Sequence, residues 1–273
     1  MTDPFTGKAL DQGVKSLGGL LDRLLGPTFE LWGQDMRAAI ERKRNAQSVA
    51  ERAGKKTNLN AEGAIPSRVA AEIFEKAQWA ENEFVAEYLS GVLASARTET
   101  GENDAGVSWT ALVGRLSSDQ LALHWIVYSG FQRRFRADPG DDYWGLLKNQ
   151  VVLTYTELLN LLGWTVLEIP RLYDAAYGLR REGLLEQLSH GGGDYLRDSV
   201  VYTQGHEYDV NQAYVTFRLT GDGLGLLMHA IGQGKNWLGT AFTNEASQGI
   251  DAMSDLPHCS TMTVMSDFPR VGR

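Results

Sequence analysis

The sequence predicts a mainly helical protein in which an N-terminal helical bundle is followed by a winged-helix-like α+β module with a long wing. Three observations support this fold class. Apolar residues recur at helical spacing through residues 1–100, a helix–strand–polar insertion–strand–helix order runs from Leu172 to Leu227, and the composition turns polar and aperiodic from residue 235. We therefore expect a helical domain at 1–100, a winged-helix-like domain at 107–234 and a flexible polar tail at 235–273.

The bulk composition is that of a soluble globular chain, with 273 residues, 43% hydrophobic and 22% charged. Its one cysteine, Cys259, allows no intrachain disulfide and suits a reducing compartment. The sequence after Met1 lacks the basic and apolar regions of a secretory signal, so we expect a cytoplasmic protein. The formal net charge of −8 disfavours nucleic acid as a partner, since phosphate binding needs a concentrated basic surface.

The first predicted helix covers residues 10–25, where leucines recur on one face. We expect this face to pack on the body of the protein. A membrane-surface helix is the alternative, weakened by the few basic residues on its polar side.

A longer helix is predicted over residues 29–56, and its second half is basic. This half holds the first group of candidate contacts with nucleic acid or an acidic partner: Arg42, Lys43 and Arg44. Cations late in a helix also complement its dipole, so a solvated helix end is the simpler interpretation.

Two packed helices are predicted between Ser67 and Arg97, separated by the polar stretch 80–83. Ser67 is the expected N-cap of the first, because its hydroxyl can accept a backbone hydrogen bond. The second helix contains a run of small residues: Gly91, Ala94, Ser95 and Ala96. They would let a neighbouring helix approach closely, so this block is predicted to be core.

Local signals mark the starts of helices in the second half of the chain. Ser117 with Gln120, and Thr154 with Glu157, are capping-box patterns. His124 falls near the buried side of the first of these helices. We expect it to be a hydrogen-bonded core histidine rather than a ligand.

The third helix of the winged-helix-like module is predicted to have Pro170 in its first turn and to end at Gly183. A short strand, a long polar wing and a second strand at residues 214–219 follow, with Val215, Phe217 and Leu219 on one face. The helix carries the second group of candidate contacts: Arg171, Arg180 and Arg181. We favour a packing scaffold over a DNA-reading helix, because the total charge is acidic and few basic residues flank the wing.

The sequence contains no enzyme or cofactor signature. The segment Gly221–Gly225 follows a strand and opens a helix, but it has neither the glycine spacing of a dinucleotide-binding loop nor the lysine of a phosphate loop. The histidines and Cys259 lack the spacing of metal ligands, and Cys259 beside His258 is interpreted as incidental. We therefore predict no catalytic residue, no cofactor and no metal.

Two segments carry a family resemblance. One is LLGPTFELWGQDMRAAIERKRNAQ at 24–47, in which Leu-Gly-Pro leads into an amphipathic, basic helix. The other is IPSRVAAEIFEKAQWAENEFVAEYLSGVLASA at 65–96, in which a proline, a helix and an acidic break precede a second helix. Together they resemble the abortive-infection alpha (Abi-alpha) family, and the match extends from about Leu20 to Ile231. The resemblance implies a bacterial protein linked to phage resistance and implies no catalytic residue.

Three functions remain open. The resemblance and the missing active site favour a non-enzymatic antiphage protein that acts through a protein partner or as a homo-oligomer. A winged-helix nucleic-acid-binding regulator is the first alternative, with the six basic residues above as contacts. A membrane-associated effector that uses the leucine-rich N-terminal helix is the second.

Overall fold

The computed structural model describes residues 17–26, 40, 43–136, 143–199, 203–253, 255–259 and 262–271. The chain forms two compact units: unit 1 is Met1–Arg115 with His229–Lys235, and unit 2 is Leu116–Met228 with Asn236–Arg273. The protein is mainly helical and has a small antiparallel sheet, which confirms the predicted helical class. Among the described residues, no helix is both long and apolar enough to cross a lipid bilayer.

Unit 1 is helical in the part that the structure describes. Its helices are α1 (Leu17–Leu25), α2 (Arg44–Lys55), α3 (Ser67–Ala77), α4 (Glu83–Ser95) and α5 (Gly106–Arg115). The leucine face of α1 is buried, which confirms that this helix packs on the protein. Asn82 caps α4 by accepting a 2.9 Å hydrogen bond from the Phe84 N–H. The prediction for α3 is wrong by one residue, because Pro66, whose fixed φ suits the extended conformation, is the N-cap before Ser67.

The remaining elements follow in chain order: α6 (Ser118–Phe135), α7 (Tyr143–Leu147), β1 (Gln150–Thr154), α8 (Tyr155–Leu162), α9 (Ile169–Arg181), β2 (Leu185–Gly192), α10 (Gly193–Asp198), β3 (Ala213–Leu219), α11 (Gly221–Ala230), α12 (Asn244–Asp251) and β4 (Thr263–Val264). The predicted capping box of Ser117 and Gln120 opens α6. Thr154 caps α8 by accepting a 3.1 Å hydrogen bond from the Glu157 N–H. Both helix starts were therefore predicted correctly.

The strands form one sheet in the order β2-β3-β1-β4, and every neighbouring pair is antiparallel. Val215, Phe217 and Leu219 are buried, as predicted for one face of β3. Tyr214 and Thr216 on the other face are buried as well, because β3 lies between β2 and β1 and is covered on both faces.

The long polar insertion and the C-terminal segment are folded together in unit 2. The insertion forms α10 and buries Leu196 and Tyr208, and Phe268 packs on this cluster with its ring 4.9 Å from that of Tyr208. β4 pairs with β1, and α12 packs against α6. The prediction of a flexible tail at 235–273 is therefore wrong for the described residues. Its buried apolar side chains, such as Phe242 and Ile250, stand among polar residues, so the sequence pattern did not reveal them.

Candidate functional site

Helix α9 carries three of the predicted contact residues. Pro170 lies in its first turn, and Gly183 follows its end at φ +73°, a left-handed conformation that glycine adopts freely. One face is buried through Leu172, Ala175, Ala176 and Leu179. The opposite face is exposed and presents Asp174, Tyr177, Arg180 and Arg181.

Arg171, at the start of α9, is held by two carboxylates. Its Nε and Nη2 donate to Asp119 at 2.5 and 2.6 Å, and its Nη1 donates to Glu168 at 3.0 Å. Its guanidinium also lies 4.3 Å over the Trp164 ring. The hydrogen bonds that it donates to Asp119 raise the pKa of Arg171 above its ordinary value. Because a bidentate carboxylate already occupies the guanidinium, Arg171 has little charge to offer a phosphate.

Arg180 and Arg181 are exposed at the last turn of α9. Neither forms an ion pair within the part of the chain that the structure describes. Arg180 lines an open groove together with the carboxylates of Glu186 and Asp222. The two arginines also share their exposed face with Asp174, so the basic character of this surface is weak.

The other predicted contacts lie in unit 1. Lys43 and Arg44 are exposed at the start of α2, with Lys43 in the N-cap position. Arg42 lies outside the described residues. Cations at the start of a helix do not complement its dipole, so the dipole of α2 does not stabilise these two charges. Both remain candidate contacts.

A chain of hydrogen-bonded aromatic side chains joins α8, α9 and β2. The hydroxyls of Tyr155 and Tyr173 lie 2.5 Å apart, and the Tyr173 hydroxyl lies 3.2 Å from Nδ1 of His190. Burial, together with the hydrogen bond to Tyr173, raises the pKa of Tyr155. These contacts hold β2, the strand that leads into the long insertion, against α9.

Unit 1 contains a buried cation, Lys56, that was not among the predicted contacts. The Lys56 side chain is 8% exposed, and its Nζ donates to the carbonyls of Glu87 and Ala230 at 2.8 and 2.9 Å and to Ser90 Oγ at 3.0 Å. Nζ also forms an ion pair with the Glu87 carboxylate at 2.5 Å. Burial lowers the pKa of Lys56 to about 8, although Glu87 opposes this shift.

Arg52 completes the cluster by pairing with Glu87 and with Glu83. Burial alone would raise the pKa of Glu87, but the charges and hydrogen bonds of Lys56 and Arg52 lower it below its ordinary value. The prediction of a solvated helix end is therefore wrong for Lys56, whereas Arg52 is half-exposed in the last turn of α2. The one signal in the sequence was Glu87 itself, a carboxylate in a helix that is apolar on several sides.

The histidines and the cysteine form no metal centre among the described residues. His124 is buried and its Nε2 lies 2.9 Å from the Gly223 carbonyl oxygen, which confirms its predicted core role. The buried Cys259 thiol donates to the Glu157 carboxylate across 3.8 Å. His258 lines the same cavity as these two residues.

No family model matches the chain, and no curated protein or solved structure matches it either. The Abi-alpha resemblance therefore stays a prediction.

Proposed function

We propose that the protein is a non-enzymatic antiphage protein of the abortive-infection type, which acts in the cytoplasm by binding a protein partner or a second copy of itself through unit 2. The family resemblance supplies the biological setting. The observation that carries partner binding is an apolar turn in front of α9, where Val166 is 68% and Leu167 is 86% exposed. Half-buried Leu162, Trp164 and Ile169 flank it. Contiguous exposed apolar side chains of this kind mark interaction surfaces.

In this proposal unit 2 is a winged-helix-like module. The order α6, β1, α8, α9, β2, β3 supports the assignment, as does the pairing of β3 with both β1 and β2. Helix α9 then occupies the position of the recognition helix. The folded insertion with α10 takes the place of a simple wing.

The charges around α9 favour a protein partner over nucleic acid. Arg171 is neutralised by Asp119 and Glu168, and Asp174 would repel a phosphate. The net charge of −8 also disfavours nucleic acid as a partner. The buried leucine face of α1 does not favour the membrane-associated alternative.

Plaque counts in a susceptible bacterial host test the proposal. We expect wild-type protein to reduce the plating of at least one phage in a broad panel, and Val166→Asp with Leu167→Asp to abolish that protection. Trp79→Ala, which alters an exposed residue of unit 1, is the matched control and should retain protection. Unchanged plating across the panel, with the protein shown to be present, would count against the proposal.

A nucleic-acid-binding regulator is the second candidate, and the exposed Arg180 and Arg181 are the observation that favours it. If they bind phosphates, Arg180→Glu with Arg181→Glu should abolish both binding and protection. Affinity should also fall steeply as salt increases, with a logarithmic slope of about −0.9 for each contact. A gel-shift titration without binding at low salt removes this candidate. Protection that survives the double substitution supports a scaffold role for α9.

A further inference from the structure

Three aromatic side chains form a cluster on unit 2: Tyr143, Trp144 and Trp237. The Tyr143 ring centroid lies 4.8 Å from that of Trp144 and 5.2 Å from that of Trp237, and the second pair meets edge to face. Tyr143 is buried, whereas Trp144 is 55% and Trp237 is 67% exposed. Two indole rings are thus anchored on one buried ring while their own surfaces remain open to water.

Glycines allow both indoles to pack directly on backbone. A Cβ at Gly221 would lie 3.2 Å from the Trp144 ring, and a Cβ at Gly239 would lie 2.1 Å from the Trp237 ring. Rings held in this way lose little conformational entropy when a ligand binds. Their exposed apolar surface costs free energy in water, and a ligand stacked on it would recover part of that free energy.

Trp144 also lines an open groove of about 560 Å³, a volume within the ~300–1,000 Å³ range of ligand sites. The polar residues of the groove are Arg180, Glu186, Gln187, Thr220 and Asp222. One carboxylate, Glu186, lies 3.8 Å from the guanidinium of Arg218. The lining is therefore close to neutral and rich in both hydrogen-bond donors and acceptors.

This lining disfavours strongly charged and purely apolar ligands. Asp222 and Glu186 would repel a phosphate, and an apolar molecule would leave the polar groups unpaired. Because Arg218 pairs with Glu186 and Arg180 offsets Asp222, the lining also offers an organic cation no net negative charge.

A carbohydrate meets all of these conditions. Its C–H faces can stack on indoles, and its hydroxyls can donate to carboxylates and accept from a guanidinium. We propose that the groove binds an uncharged oligosaccharide, with Trp144 stacking on one sugar ring and Trp237 offering a platform for another.

Saturation-transfer NMR and calorimetry on the purified full-length protein test this site. The probes are maltotetraose, cellotetraose, chitotetraose and mannotetraose, each at millimolar concentration, with tetralysine as the cationic comparison. We expect at least one oligosaccharide to bind with a Kd on the order of 1 mM or tighter, as a shallow site with two stacking rings implies. Binding of tetralysine alone, or of none of the probes, overturns the proposal.

Substitutions locate the binding on the aromatic cluster. Trp144→Ala and Trp237→Ala should each weaken oligosaccharide binding about tenfold or more, and Asp222→Ala, at an exposed position, should weaken it without disturbing the rings. Trp79→Ala, which removes an exposed tryptophan of unit 1, should leave the affinity unchanged. Equal binding by wild type and both cluster variants would overturn the assignment. Asp222→Ala keeps the test decisive if a tryptophan variant fails to fold.

This site does not depend on the proposed antiphage function. The binding assay uses purified protein and defined sugars, whereas the plaque assay reports on Val166 and Leu167. A negative result in one assay therefore does not affect the conclusion from the other assay.

Discussion

Lys56 carries a positive charge at a buried position, where the loss of water destabilises the charged form. Its ammonium is buried, and carbonyl oxygens and the Glu87 carboxylate offset the loss of water. We predict that Lys56→Met lowers the free energy of unfolding by about 3 kcal/mol, because the Glu87 carboxylate and the Ala230 carbonyl lose their cation. Chemical denaturation at neutral pH measures the loss.

Two further variants separate charge from packing at this position. Lys55→Met alters the exposed neighbour and should change stability by no more than about 0.5 kcal/mol. Lys56→Met with Glu87→Leu should cost less than Lys56→Met alone, because the single variant leaves the buried Glu87 carboxylate with Arg52 but without the Lys56 ammonium. If the double variant is at least as unstable as Lys56→Met, the loss of the ion pair is not the cause.

His229 makes the stability of unit 1 depend on pH. The residue is 8% exposed and its ring packs against that of Trp109, with centroids 4.4 Å apart and planes tilted by 32°; burial lowers its pKa to about 4 from an ordinary 6.5. Between these two pH values the unfolded chain binds a proton that the folded chain does not, so stability falls as pH decreases from 6.5 towards 4. The loss between pH 7 and pH 5 should be about 2 kcal/mol from this residue.

His229→Phe is the direct test of that pH dependence. A phenyl ring keeps the packing on Trp109 but cannot titrate. Urea unfolding at pH 7 and pH 5 should therefore show a smaller difference in the variant than in the wild type. A residual loss is expected from His124, whose buried ring has its pKa lowered to about 3. An unchanged difference would show that His229 is not the titrating group.

At the scale of elements, the starts of helices could be read from the sequence because caps are local. Ser117 with Gln120 and Thr154 with Glu157 lie three residues apart; the first pair forms the full capping box, and the second forms the N-cap hydrogen bond of one. The Lys56–Glu87 pair joins residues 31 positions apart, and no local pattern specifies such a partner.

The candidate contact residues also differ in how much of their surroundings the sequence predicts. The sequence placed Arg180 and Arg181 correctly on the last turn of α9. It did not reveal that Arg171 is bound by Asp119, because that carboxylate belongs to another helix. The aromatic cluster was missed for the same reason, since Trp237 meets Tyr143 only in the folded chain.

Gly91 allows the end of α11 to approach α4 closely, as the run of small residues in α4 predicted. A Cβ at Gly91 would lie 2.0 Å from the Ala230 carbonyl oxygen, which is backbone and has little room to move. Gly91→Ala should therefore lower the free energy of unfolding by at least about 2 kcal/mol through overpacking. Thermal or urea unfolding measures the effect.

Gly114→Ala is the control for this steric argument, because Gly114 also lies inside a helix. There the nearest atoms to a new Cβ belong to the Lys76 side chain, at 2.7 Å, and a flexible side-chain end can move away. Stability should be unchanged or increase by up to about 1 kcal/mol, since alanine favours helix. Equal losses at both glycines would point to a general effect of the substitution.

At the scale of the whole molecule, the acidic net charge and the distribution of exposed groups both bear on the kind of partner that the protein binds. With a net charge of −8, a nucleic-acid surface would have to be concentrated locally, yet the arginines of α9 share their surface with Asp174 and one is bound by Asp119. The exposed apolar turn at Val166 and Leu167 and the exposed indoles of the aromatic cluster are therefore the stronger candidates for recognition.

The C-terminal segment is an integral part of unit 2, and Phe268 provides the test. Its ring packs 4.9 Å from that of Tyr208 and 6.2 Å from that of Tyr214, while the neighbouring Asp267 pairs with Arg134 at 3.0 Å. We predict that Phe268→Ala lowers the free energy of unfolding by about 2 kcal/mol, less than for a fully buried phenylalanine because this ring is half-buried.

Tyr195→Ala removes an aromatic ring of similar size that is 65% exposed on α10, and it should change stability by no more than about 0.5 kcal/mol. The comparison decides between two accounts of residues 235–273. A polar, flexible tail would tolerate both substitutions equally, because neither ring would be part of a core. A loss confined to Phe268→Ala follows only if the end of the chain covers the insertion and the β1 edge of the sheet, where β4 pairs.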